Sequence, residues 1–438
     1  MTIKTITFPN GFRFVYEKLK NSAPITSMQV FCDLGSVYET DDMRGVSHFI
    51  EHMTFKGTKK INDSIKLFLE YDKIGAILNA YTDKRYTCYV VKCEDIHVEN
   101  SLKVLSDMLL NSTFDKTEFK KEERVVIEEN INSSDDSEDM LYEDLEKLLY
   151  KGSAYSKPVD TIAYHKGSLS YETVIDVYNK FYVANRMVLS IVSHLDYEDF
   201  IKIIRNSYFM KKIEKVIPCH LFTYQRKLEL QDKIKYHISK KVGIKTIKIV
   251  LGFRVSKKDE YYLNFLKNIL SGPMSSRLFR ILREENGLTY SSLITTDYYD
   301  EVGDFTIFAE MDYRKILKNG NKKGVLPLII DLLNDLRKKG VCQQEIDNTK
   351  GYVNGMMDID IEDPDTSVEH NGSRLLVYPN EELIPYSKIF EKKIKVITKN
   401  DIDHVIGLYL KKENLSVCLT GEHVPNITDI KKECEKLI

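Results

Sequence analysis

No CxxC pair occurs among the seven cysteines of this 438-residue sequence, Cys32, Cys88, Cys93, Cys219, Cys342, Cys418 and Cys434. An odd set with that spacing fits neither a disulfide framework nor a thiolate zinc site, so reduced and mostly buried thiols are expected. Excess charge of one sign is missing too: 64 Lys and Arg face 66 Asp and Glu, for a formal net charge of -2. Phosphate neutralisation needs clustered Lys and Arg that nothing balances, which argues against a nucleic-acid partner. Lysine runs such as KKIEK (211–215) and KKIKV (392–396) alternate with apolar residues and read as solvated faces. With 42% hydrophobic and 30% charged residues, the composition is that of a globular chain, neither disordered nor membrane-spanning. The opening MTIKTITFPNGFRFVYEK alternates apolar and polar residues around a Pro-Asn-Gly turn, whereas a signal peptide needs a continuous apolar run; a cytoplasmic location is the expectation.

The length exceeds one ordinary hydrophobic core, and the pattern repeats. ITSMQVFCDLG (25–35) and TIKIVLGFRV (246–255) read as strands rich in branched residues, each leading into helical sequence. Helix candidates at 97–111 and 115–131 have counterparts at 327–340 and 343–356. The helix, turn and strand of 173–195 recur at 401–423. These correspondences predict a diverged tandem duplication of an α+β unit, each half a mostly antiparallel or mixed sheet with helices packed on one face. The proline-interrupted stretch 211–230 holds the expected linker: domains 1–215 and 231–438, joined by 216–230.

Chemistry concentrates in SHFIEHMTFKGT. On a helix over 46–56, His48 and His52 lie one turn apart and Glu51 shares their face. Two neutral imidazoles suit zinc, a catalytic site keeps a position open for water, and that water needs a base, the place Glu51 occupies. One further Asp or Glu ligand is expected from elsewhere. In FKKEERVVIEENI (119–131), Phe119, Glu122, Val126 and Glu129 form one stripe, so two carboxylates sit on a partly apolar face. Residue by residue, this stripe is either a metal-ligating face or an ordinary charged surface helix.

The texts FPNGFRFVYEK, DLGSVYETDDMRGVSHFIEHMTFKGT, GAILNAYTDK, ERVVIEENI and SSRLFRILREENGLTYS together resemble the pitrilysin or insulinase-type inverted-motif zinc peptidases. The likeness covers nearly the whole chain and is greatest to the half-size branch with the bacterial processing peptidases and the mitochondrial processing peptidase β subunit. It implies a mitochondrial-processing-peptidase-like fold, one zinc ion per chain on His48, His52 and Glu129, and Glu51 as general base. Glu128 is the adjacent alternative on the match, and the stripe shared with Glu122 favours Glu129. The family counterpart of Glu122 supports the site from behind its ligands.

GAILNAYTD (75–83) reads by itself only as a strand after a glycine-closed helix. The resemblance makes it a sheet edge beside the zinc to which peptide adds through main-chain bonds, with Asn79, Ala80 and Tyr81 in contact. In the second half, GPMSSRLFRILREENGLTYSS (272–292) is assigned the place of the HxxEH segment and carries no metal ligands. Arg283 and Tyr290 there read plainly as a salt-bridging arginine and a loop tyrosine. The resemblance instead implies a pair that reaches the active site of the opposing half and holds the substrate backbone, steadying the developing oxyanion.

The resulting expectation is a zinc metalloendopeptidase acting on short or unfolded peptides, with zinc-bound water activated by Glu51. Because one chain holds both the zinc motif and the Arg/Tyr pair, a homodimer is expected in which each subunit completes the other's site. The rivals are a catalytic subunit paired with a related partner to mature one precursor, and a noncatalytic scaffold subunit. His97, His165, His194, His220, His237, His370, His404 and His423 stand singly and read as structural. The acidic run 133–146 reads as a helix N-terminal region. AYSKPVDTIAYHKG (154–167) departs from the family's His-Pro-rich turn, and the glycine-rich loop of the noncatalytic processing-peptidase subunit is absent.

Overall fold

Alternating branched strands and amphipathic helices give the element order of the structure, a computed structural model that describes residues 3–19, 24–159, 169–211 and 224–438. The first stretch runs β1 (Ile3–Thr7), β2 (Arg13–Lys18), β3 (Ile25–Cys32), α1 (Val46–Thr54), α2 (Ser64–Asp72), β4 (Ile77–Thr82) and β5 (Thr87–Glu94). Next come α3 (Val98–Leu110), α4 (Lys116–Asp135), α5 (Ser137–Leu149), α6 (Tyr171–Phe181), β6 (Met187–Ser193), α7 (Tyr197–Asn206) and α8 (Tyr208–Lys211). The chain continues through β7 (Lys235–Lys240), β8 (Ile247–Ser256), α9 (Glu260–Ser271), α10 (Arg277–Phe279), β9 (Thr289–Tyr299) and β10 (Val302–Met311). A two-strand ribbon, β11 (Lys318–Asn319) and β12 (Lys322–Lys323), precedes α11 (Val325–Lys339), α12 (Gln343–Asp360), α13 (Pro364–Val377) and α14 (Tyr386–Ile389). The final elements are α15 (Lys399–Tyr409), β13 (Leu415–Gly421) and α16 (Ile427–Cys434). None of the described helices is long and apolar enough to cross a membrane.

Two compact units result, and neither is one continuous stretch. The first is Met1–Ile131, Lys157–Tyr224 and Met357–Ile389; the second is Asn132–Ser156, Gln225–Met356 and Phe390–Ile438. The expected linker falls mostly on 212–223, outside the described residues.

In the first unit six strands form one sheet in the order β1-β2-β6-β3-β5-β4. β2 and β6 run parallel and the other neighbours antiparallel, so the sheet is mixed. The second unit orders its five strands β7-β13-β8-β10-β9, again with one parallel pair, β7 and β13. Position for position this repeats β2-β6-β3-β5-β4, which makes the duplication read from the sequence a repeated topology.

Successive residues of a strand face opposite sides. In the first unit Phe14, Tyr16, Met28, Val30, Tyr89 and Leu189 point into a core closed by Phe49 and Met53 of α1, Leu105 of α3 and Phe181 of α6. The intervening Val15, Phe31, Cys88 and Val188 bury against Leu376 of α13. That second covered face was not legible in the pattern, which predicts helices on one face only. α13 comes late in the chain and carries Gly372, where a Cβ would lie 2.1 Å from Phe31 and 2.9 Å from Ser190. In the second unit α5, which precedes all of its strands in the chain, packs on β8 and β13. There the glycine is on the strand: a Cβ at Gly252 would meet Leu145 at 2.8 Å and Leu149 at 3.1 Å. Each sheet therefore has a helix seated where one partner has no side chain. α5 is also what becomes of the acidic run, with the Asp136 carboxylate accepting from Glu138 N–H at 2.7 Å as its N-cap.

Candidate metal centre

α1 begins at Gly45, whose φ of 83° admits no ordinary side chain without strain. Its first turn is held from outside by Glu39, whose carboxylate accepts from Gly45 N–H at 2.8 Å and Ser47 N–H at 3.0 Å. An anion at this position satisfies orphan donors and the positive end of the helix. Val46, Phe49, Ile50 and Met53 bury one side of α1. The opposite side presents His48, Glu51 and His52.

α4 supplies the other wall. Phe119, Glu122 and Val126 are buried along it while Glu129 remains exposed. His52 Nδ1 lies 2.8 Å from Glu122 Oε1, and His52 Nε2 lies 3.4 Å from Glu129 Oε2 and 3.1 Å from His48 Nε2. His48, His52 and Glu129 offer one ligand atom each within 4.8 Å of one another. Among the described residues this is the one such group, and Glu128 is not part of it. The remaining described histidines join none, and His165 and His220 lie outside the described residues.

Burial alone would raise the Glu122 carboxyl, but bonds from His52 and then Lys56 outweigh it and hold the group below the usual carboxylate range. An ionised Glu122 only accepts, so its contact calls for a proton on His52 Nδ1, and the neutral tautomer that provides one keeps a lone pair on Nε2. That lone pair faces another imidazole nitrogen at 3.1 Å with an exposed carboxylate alongside. Nitrogens bound tetrahedrally at about 2.0–2.1 Å from one ion stand about 3.3 Å apart, so the donor set fits zinc in both chemistry and spacing.

Glu51 is 8% exposed, and burial raises its carboxyl above the ordinary value, with Thr82 and the two histidines offsetting part of the effect. Its Oε2 accepts from Thr82 Oγ1 at 2.5 Å. Thr82 is the last residue of β4, and β4 is an edge strand, paired with β5 alone. The same strand holds Asn79, exposed with its Oδ1 on Ala80 N–H at 2.9 Å, and Tyr81, whose hydroxyl reaches Glu369 at 3.1 Å.

Arg283 and Tyr290 belong to the second unit. Arg283 lies on the π-helical stretch Arg280–Glu284 that continues α10, and its Nη1 donates to the Tyr290 carbonyl at 2.6 Å. Tyr290 is the second residue of edge strand β9, at a register shift between Glu310 and Met311, and it is 81% exposed. A bulge at this point re-aims the side chain. The segment 272–292 lies one element later than expected: two helical segments separate the second and third strands of the five-strand repeat, β3 from β4 and β8 from β9, so α9 stands in the place of α1. α9 carries Asn264, Lys267 and Asn268 at the spacing of His48, Glu51 and His52, and Thr296 Oγ1 of β9 donates to Asn264 Oδ1 at 2.6 Å, the position of His48 and not of Glu51. α9 keeps the element order of α1 while none of its side chains at these positions is a zinc ligand, so ligand types alone do not reveal the correspondence.

Three residues of the first unit's site were missed. Lys56 has a readable signal, four residues beyond His52 and thus on its face. Thr82 has a weak one, ending NAYT. Glu39 has none, since it caps from six residues before the helix instead of within a capping box.

Residues 14–160 match the profile of the insulinase family, peptidase family M16, and residues 168–352 match the profile described as the peptidase M16 inactive domain. This chain belongs to peptidase family M16. Within the family, the protein named uncharacterized zinc protease YmxG of Bacillus subtilis is 29% identical over 414 residues, 93% of this chain and 94% of that one. The mitochondrial-processing peptidase subunit beta of Dictyostelium discoideum is 30% identical over 217 residues, 49% of this chain and 45% of that one. A protease from Helicobacter pylori has the same fold, with a TM-score of 0.84 at 20% identity over 96% of this chain and 99% of that one.

Proposed function

We propose that this chain is a zinc metalloendopeptidase that hydrolyses short or unfolded peptides. The observation that carries the reading is the convergence of His48, His52 and Glu129 beside a buried Glu51 whose carboxylate is bonded to the end of an edge strand. His48, His52 and Glu129 would hold one zinc ion, which when bound polarises a carbonyl and acidifies water. Glu122 keeps His52 in the ligating tautomer. Glu51 takes the proton of the attacking water and passes it to the leaving amine nitrogen. Thr82 occupies Oε2 of Glu51, which leaves Oε1 for that transfer. An extended peptide adds to β4 along Asn79, Ala80 and Tyr81 through main-chain bonds, a mode with loose side-chain demands. Arg283 and Tyr290, at the edge of the second sheet, hold the substrate backbone near the scissile bond of a site in a second copy, so the working form is a homodimer.

A division into a zinc-binding domain, 1–215, and a metal-free domain carrying the Arg/Tyr pair, 231–438, belongs to this reading. A cytoplasmic location accords with the six described cysteines, all free, five of them buried. Similarity to a protein named as a processing-peptidase subunit favours one alternative, a catalytic subunit that needs a related partner.

The test is mass spectrometry of products from a mixed peptide library, with and without a chelator, for wild type and Glu51→Gln. Wild type is expected to cleave at internal bonds and to stop when the metal is removed. Glu51→Gln should retain zinc and lose turnover by about 10²–10⁴-fold. Undiminished cleavage in that variant sinks the mechanism, and activity only with a related subunit added selects the alternative.

A further inference from the structure

Lys56 enters neither the ligand set nor the proton transfer, yet it lies within the same ladder of contacts. The helical path of α1 continues past its last residue, with Phe55 N–H on the His52 carbonyl at 3.2 Å and Lys56 N–H on the Met53 carbonyl at 3.1 Å. His48, His52 and Lys56 therefore recur every fourth residue along one side. Opposite them α4 presents Glu129 and, two turns earlier in sequence, Glu122. His52 pairs with both glutamates, and Lys56 Nζ pairs with Glu122 Oε2 at 2.5 Å, so the two stripes run in opposite directions.

Glu122 gives each oxygen its own partner, Oε1 to His52 Nδ1 and Oε2 to Lys56 Nζ, with a side chain only 6% exposed. The terminal torsion of a glutamate is broad, and one bond alone leaves the carboxylate plane free to turn. A buried carboxylate oxygen without a donor is also unfavourable, which would drive the group toward any other donor in reach. Lys56 removes both freedoms. It is 23% exposed at its side chain, so water competes for its ammonium without replacing the contact.

We propose that Lys56 is a positioning residue for the metal centre: by holding Oε2 of Glu122 it fixes the carboxylate that orients His52, and so strengthens zinc binding. This rests on the zinc-peptidase reading above. The sign makes it testable. As a bare positive charge near a dication, Lys56 would weaken metal binding, and its removal would tighten it. As a positioning group, its removal loosens the site.

The experiment measures zinc dissociation constants of the zinc-free full chain by competition with a chromophoric chelator, for wild type, Lys56→Met, Lys56→Arg, Glu122→Gln and the Lys56→Met/Glu122→Gln pair. Lys56→Met should weaken zinc about tenfold, the low end for a group behind a ligand. Lys56→Arg should recover most of that loss, because a guanidinium can still occupy Oε2. In the Glu122→Gln background Lys56→Met should change nothing further. Equal or tighter binding by Lys56→Met overturns the proposal, as does an undiminished effect without Glu122. Where Lys56→Met fails to fold, Lys56→Leu, which also has no donor, carries the same two comparisons. A wild-type chain that binds no zinc overturns the metal centre itself, whereas a zinc-binding wild type with an indifferent Lys56→Met overturns this inference alone.

Discussion

Thr82 Oγ1 donates to Glu51 Oε2 at 2.5 Å, which joins the last residue of an edge strand to the buried carboxylate of the ligand helix. Thr82 faces Thr87 across the β4–β5 ladder, and Thr87 spends its own hydroxyl proton on the Leu34 carbonyl at 2.9 Å. The single proton of Thr82 is thus committed to Glu51.

Thr82→Val preserves shape and removes that donor. A hydrogen bond to a charged group is worth about 1.5–3 kcal/mol, so kcat should fall at least about tenfold with little change in bound zinc. Thr82→Ser should restore most of the rate. Steady-state hydrolysis of a quenched fluorescent peptide checks both, and a Val variant with wild-type kcat would show that the strand does not orient the base.

A buried carboxyl on the far face of the first sheet gives a pH dependence of stability. Glu17 accepts from Asn371 Nδ2 at 2.8 Å, while Glu17 Oε1 and Asn371 Oδ1 are both buried without a partner. Burial raises the Glu17 carboxyl above its ordinary value, and the Asn371 bond offsets only part of this. A folded pKa above the unfolded one, about 4.3, contributes stability that is whole below that pH and is lost as pH rises through the folded value. Glu17→Gln removes the titration and supplies a donor for Asn371 Oδ1. Its melting temperature should therefore gain on wild type between mildly acidic and neutral pH. A constant difference across that window would rule out Glu17 as the titrating group.

The proposed homodimer, in which each chain completes the other's site, has a complementation test. Glu51→Gln and Arg283→Ala should each be inactive alone. Mixed in equal amounts and allowed to exchange, they should recover about a quarter of wild-type turnover, since half the dimers are mixed and each has one intact site. A mixture that stays inactive would mean Arg283 serves only its own chain or none.

Much of this arrangement was legible in the sequence because period and spacing are local properties. His48, Glu51 and His52 share a face by the helical repeat alone, and Phe119, Glu122, Val126 and Glu129 do so over two turns. The strand–helix order of each half was readable for the same reason, and it reappears as two sheets of one topology. What escaped depends on contacts between residues far apart in sequence. Thr82 meets Glu51 through sheet order, Glu39 caps α1 from a loop, and α13 covers a sheet whose strands end near residue 193. The misplacement of 272–292 had another cause: α9 keeps the spacing of the motif while replacing its side chains with Asn264, Lys267 and Asn268, so a search for ligand types passes over it.

The helix that covers the far face of the first sheet is made long after the strands it covers. Val15, Phe31 and Val188 bury against α13, and the fit at Gly372 leaves no room for a substitute. During synthesis at about 5–20 residues per second, the six strands of the first sheet have all left the ribosome well before residues 364–377 appear. For that interval the nascent chain carries an open apolar sheet face, a surface for chaperones. A chain truncated before α13 would keep every residue of the zinc motif and still be unable to leave that state.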